Sequence, residues 1–131
     1  MHVAILMLSF VAAMQPAEQN MTDNRVPDAT LVARAEAAAV MPNGAGPIAS
    51  YARTYTQARV DGKDMLFGQF IDRRFMEEFA RDHHQASPPP IRRVLFDDMI
   101  PAFDGGCAIL TLFYEIEANA PPRIVCNGGP R

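Results

Sequence analysis

The chain has 131 residues, enough for one domain of ordinary size and too few for two. Apolar residues make up 49% and charged residues 21%, a balance that excludes wholesale disorder, a collagen-like repeat and a disulfide-dense knot. With 15 acidic residues against 12 Lys and Arg the formal charge is −3, so no overall positive field draws in nucleic acid.

The apolar run over residues 3–13 is too short to span a bilayer as a helix. It matches the apolar stretch of a secretory signal, and Val11, Ala12 and Ala13 put small side chains where a signal peptidase cuts, although no Lys or Arg precedes the run. Residues 1–13 are therefore expected to be a signal peptide and the product periplasmic or secreted, with no transmembrane anchor. The alternative is a cytosolic protein that keeps the run as a strand or helix. Residues 14–27 are polar and without apolar period, which predicts a flexible lead-in, and residues 28–131 then form a single α+β domain.

Asp28 precedes an alanine-rich stretch, 29–41, predicted to be a helix capped by Asp28, with Leu31, Ala35, Ala38 and Ala39 on one face and Pro42-Asn43-Gly44 as its stop. Tyr51, Thr54, Tyr55, Thr56 and Val60 suit a pleated strand, and Asp61-Gly62 is a two-residue hairpin turn. That turn pairs Val60 with Lys63, Arg59 with Asp64, Ala58 with Met65, Thr56 with Phe67 and Tyr55 with Gly68. Opposite charges then meet at Arg59 and Asp64, and the Tyr55 ring covers the bare Gly68 backbone. A second helix is predicted over 73–84, capped by Asp72, with Phe75, Met76, Phe79, Ala80 and His83 as its buried stripe and His84 in water.

Pro88-Pro89-Pro90 forces an extended connector. Residues 91–96 read as a short edge strand, 97–106 as a loop, 107–116 as the central strand and 123–126 as its return. The fold class is thus α+β, with one or two helices on a mainly antiparallel sheet built from two hairpins. Cys107 and Cys126 flank the last hairpin, and an oxidising compartment would bridge them. Two buried free thiols in a cytosol, or a metal site, are the alternatives, the latter without a Cys-x-x-Cys pattern to support it. The bridge is expected with Cys107 opposite Cys126, Ala108 opposite Val125 and Ile109 opposite Ile124, around a wide loop from Phe113 to Pro122.

Asp104-Gly105-Gly106-Cys107, a β-rich run and then Cys126-Asn127-Gly128 resemble the C-terminal hairpin of small, uncharacterised secreted bacterial proteins. The resemblance covers about the last quarter of the chain, implies an exported domain with a bridged hairpin, and carries no activity. Pro121 and Pro122 depart from it, because neither can donate to a ladder, so the return strand starts at Arg123.

No phosphate loop, dinucleotide fingerprint or nucleophile elbow is present, so no cofactor is expected. Asp82-His83-His84 has metal-ligand chemistry, but adjacent helical residues point about 100° apart, so a solvated helix end explains it better than a shared site. Asp97, Asp98 and Asp104 read as solvated or turn-capping acids. The leading functional expectation is a non-catalytic binding or accessory protein of the cell envelope, whose partner is another envelope protein or a small ligand. The alternative is a small enzyme or ligand-binding domain with a pocket lined by Tyr51, Tyr55, His83, Asp97 and Asp98.

Overall fold

The Asp61-Gly62 turn sets the register from which the sheet is built. In the computed structural model, which describes residues 21–101 and 104–128, Asp61 and Gly62 both take the left-handed conformation, with φ of 52° and 78°, the backbone that a two-residue turn with the twist of its strands requires. Strand β2 (Tyr51–Val60) then pairs antiparallel with β3 (Lys63–Asp72) along their whole length. All five expected pairs form, including Tyr55 opposite Gly68.

Around this hairpin stand β1 (Met21–Arg25), β4 (Ile91–Arg93), β5 (Gly106–Glu115) and β6 (Arg123–Asn127). The order is β1-β2-β3-β5-β6, with β4 added parallel to β2 beside Arg53–Tyr55. Helix α1 (Ala29–Ala38) lies on one face and α2 (Arg73–Asp82) follows β3 directly toward the other. The α+β class with two helices on a mainly antiparallel sheet holds, and the single parallel strand is the departure from it.

Strand alternation separates two faces. Tyr51, Arg53, Tyr55 and Gln57 share a face with Leu66, Gly68 and Phe70, with Leu110, Leu112 and Tyr114, and with Ile124. Val32 and Ala35 of α1 close over this face to make the core, in which Tyr55, Leu66, Phe70, Leu110 and Leu112 have no exposed surface. Tyr55 meets Phe70 edge to face at 5.9 Å, an orientation suited to the ring quadrupoles. Gly68 lets the Tyr55 ring lie on the sheet: a Cβ there would stand 2.8 Å from Tyr55 Cε1 and 3.1 Å from Leu112 Cβ.

Several expectations are corrected. Met21–Arg25, part of the stretch read as a flexible lead-in, is β1, with a bulge between Thr22 and Arg25. It is held by side chains rather than by an apolar period: Arg25 pairs with Asp64 at 2.7 Å, and Asn24 Oδ1 accepts from the Phe96 N–H at 2.8 Å. Arg59 does stand opposite Asp64, but Asp64 takes its bonds from Arg25 and Gln57, and Arg59 donates to the Gly62 carbonyl. Helix α1 ends at Ala38 rather than Met41, Asp28 makes no side-chain cap, and Val32 rather than Ala38 is buried. Helix α2 ends at Asp82, and of its expected stripe only Ala80 is buried, while Phe75 and Phe79 are 57% and 47% exposed. Asp72 does cap it, accepting from the Arg74 N–H at 2.9 Å. Residues 1–20, which include the expected signal peptide, lie outside the described residues.

The last hairpin keeps its bond and changes its register. Leu110, not Cys107, stands opposite Cys126, Thr111 opposite Val125 and Leu112 opposite Ile124, while Gly106 pairs with Asn127. β5 therefore carries Cys107, Ala108 and Ile109 with no counterpart on β6, starting from Gly106 at φ 56°. This bulge folds Cys107 back toward β6, and the Cys107–Cys126 disulfide spans a Cα separation of 4.6 Å. The expectation assumed an unbroken ladder, in which only the shifted register brings the thiols together. A bulge achieves the same while β5 continues to Glu115, so the connection is shorter than the wide loop expected.

Gly68→Ala is expected to destabilise the protein by about 1–3 kcal/mol, because its methyl must displace the buried Tyr55 ring or the Leu112 side chain. Urea unfolding of the variant beside the parent measures the loss.

Candidate functional site

The first face of the sheet is filled and chemically committed. Glu36 projects from α1 to receive two bonds on one oxygen, from the Tyr55 hydroxyl at 2.6 Å and from Arg53 Nε at 2.8 Å. Arg53 Nη1 also donates to the Ile48 and Tyr51 carbonyls, each at 2.9 Å. Burial, with the Glu36 carboxylate beside it, pushes the Tyr55 hydroxyl far above its ordinary range. It stays protonated and donates, so this cluster joins helix to sheet and offers no base or nucleophile.

Tyr51 is likewise engaged. Its hydroxyl accepts from the Gly46 N–H at 3.1 Å and donates to the Cys107 carbonyl at 2.7 Å. An open cleft of about 900 Å³ passes beside it, lined by Ser50, Asp72, Arg73 and Cys107 among others.

The second face is different. Two adjoining hollows share Ile100 and Pro101. One, of about 570 Å³, lies between α2 and the sheet, with Ile71 and Ile109 as its floor and Phe75, Met76, Phe79 and Ala80 as its helical wall. The other, of about 520 Å³, runs on over Phe67, Gln69, Thr111 and Phe113 beneath Phe96 and Met99. Thr56 Oγ1 and Gln69 Oε1, both on strands' second-face positions, are buried without a hydrogen-bond partner. The amphipathic period of residues 73–84 identified the wall of this groove but misread its burial, because period reports which residues share a face and not whether another element covers them.

The five pocket candidates are not brought together. Tyr55 is sealed in the core and Tyr51 lies on the same face, whereas Asp97 borders the hollow on the opposite face. Asp98 is exposed in the turn Phe96–Asp98. His83 closes the end of α2, stacked on Phe79 at 4.0 Å, and its Nδ1 donates to the Phe79 carbonyl at 2.8 Å. His84, exposed as expected, has φ 53°. Among the described residues no group of three His, Cys, Asp or Glu side chains is placed to hold a metal ion. Nor is any described helix long and apolar enough to cross a membrane. Comparison with protein-family models, with curated proteins and with solved structures finds no match.

The raised Tyr55 hydroxyl makes stability depend on alkaline pH. Below the ordinary tyrosine value of 10.0 the folded and unfolded chains are both protonated there, and the contribution is complete. Above it the unfolded chain releases a proton that the folded chain retains, so stability should fall by about 1.4 kcal/mol per pH unit. Urea unfolding between neutral pH and pH values above 10.0 should show this slope in the parent. Tyr55→Phe should remove it, at a cost of about 1–2 kcal/mol at neutral pH from the lost bond to Glu36.

Proposed function

We propose that the protein is a non-catalytic binding domain working outside the cytoplasm, in the cell envelope or secreted, and that the groove between α2 and the second sheet face receives its ligand. The observation that carries this reading is the exposure of Phe75 and Phe79, at 57% and 47%, on the wall of a hollow floored by Ile71 and Ile109. Two neighbouring aromatic side chains left in water on a concave apolar surface are the usual mark of a binding site rather than of unfinished packing. The hydroxyls of Tyr51 and Tyr55 are already bonded within the fold, which leaves the groove as the open surface of the sheet that the reading uses. The disulfide and the signal-like residues 3–13 support the address, and the resemblance of the last hairpin to secreted bacterial proteins agrees with it.

Nile red, an uncharged dye that brightens in apolar surroundings, tests the groove. The parent should enhance its emission, and replacement of both phenylalanines, F75S together with F79S, should abolish most of the enhancement. Because both side chains are half in water, the pair should cost no more than about 1–2 kcal/mol of stability. Undiminished dye binding in the double variant would overturn the assignment. The address is tested separately by fractionation and by mass spectrometry of the mature N-terminus, expected near Met14. Intact Met1 on cytosolic protein would overturn it.

A further inference from the structure

The apolar groove contains a cation, Arg92, that makes no ion pair among the described residues. Arg92 is the middle residue of β4 and stands beside Thr54, on the groove face of β2. It lines the groove together with Ile71, Phe79, Ile100 and Ile109. Among the described residues, the ion pairs of the other arginines do not extend to Arg92. Its neighbour Arg93 turns to the first face and donates to the Pro27 carbonyl at 3.0 Å. Asp104, a carboxylate of the same lining, is already engaged in an interaction.

A guanidinium left over beside an apolar wall keeps its donors available, and its planar fork matches a carboxylate. We propose that the groove binds an anionic amphiphile, a single-chain carboxylate whose head is held by Arg92 and whose chain lies on Ile71, Ile109 and the two phenylalanines. The inference rests on the groove being the binding site and adds the chemistry of its ligand. A hollow of about 570 Å³ is within the span of small-molecule sites and continues into the second hollow past Ile100. The net charge of −3 sharpens the argument. The protein as a whole repels anions, so a preference for an anionic head over a neutral or cationic one must come from a local cation.

The test is titration of the whole protein with dodecanoate, dodecanol and dodecylammonium, each below its micelle concentration. Dodecanoate should bind about tenfold more tightly than dodecanol, the scale of one charge-assisted contact, and dodecylammonium more weakly than either. Arg92→Gln should bring dodecanoate down to the affinity of dodecanol and leave dodecanol unchanged, which also shows that the variant is folded. Arg92→Lys should restore part of the preference. Equal binding of dodecanoate and dodecanol by the parent would overturn the head-group assignment and leave the groove standing. A preference that survives Arg92→Gln would overturn the role of Arg92. Failure of all three amphiphiles to bind would overturn the groove itself together with this inference.

Discussion

The carboxylate of Glu36 is the point on which the two layers are joined. Helix α1 is short and buries only Val32 and Ala35 completely, too little apolar area to fix its position by itself. Glu36 supplies the missing direction, because one of its oxygens must meet both the Tyr55 hydroxyl and Arg53 Nε. Arg53 is 8% exposed, and a cation at that depth is stable only with its donors occupied. The same guanidinium holds the Ile48 carbonyl at the entrance to β2. Helix, turn and central strand are thus tied through one buried ion pair with a hydroxyl attached to it.

A second tie adjoins the first on that face, through Tyr51. The bulge after Gly106 carries Cys107 back to Cys126, and the Cys107 carbonyl accepts from Tyr51, whose hydroxyl in turn holds the Gly46 N–H. The bridge therefore does more than shorten the unfolded chain. It presents a backbone carbonyl that anchors the connection from α1 to β2. Together the two ties engage Glu36, Arg53, Tyr55 and Tyr51 within the fold.

That commitment explains why the open apolar surface falls on the other face. There α2 leaves β3 at once, capped by Asp72, and stands beside the sheet instead of lying flat on it, so Phe75 and Phe79 overhang Ile71 and Ile109. The residues at 99–101 bridge the trough without filling it. A domain of this size has enough apolar side chains for one closed core, and the second face remains partly open.

Local physics made much of the fold legible in the sequence. Asp61 and Gly62 accept positive φ, so the turn and the pairing of β2 with β3 follow from adjacent residues. Gly68 opposite Tyr55, Asp72 ahead of α2 and the pairing of two cysteines are equally short-range or have few alternatives. The β1 strand was hidden because Arg25 and Asn24 find Asp64 and Phe96, partners far away along the chain. The bulge was hidden because alternation fixes which face a residue takes only while the ladder is unbroken. The placement of the pocket candidates was hidden differently: Tyr51 and Tyr55 share a face by period, but only the packed sheet decides that Glu36 meets Tyr55 on this face while His83 and Asp97 lie elsewhere. The sequence by itself determined most of the elements, the register of β2 with β3 and the identity of the bridged cysteines, since these depend on neighbours a few residues apart or on the lack of any other partner. Which apolar stripe became core and which became groove was decided only in the tertiary structure, because burial belongs to whatever comes to lie on top.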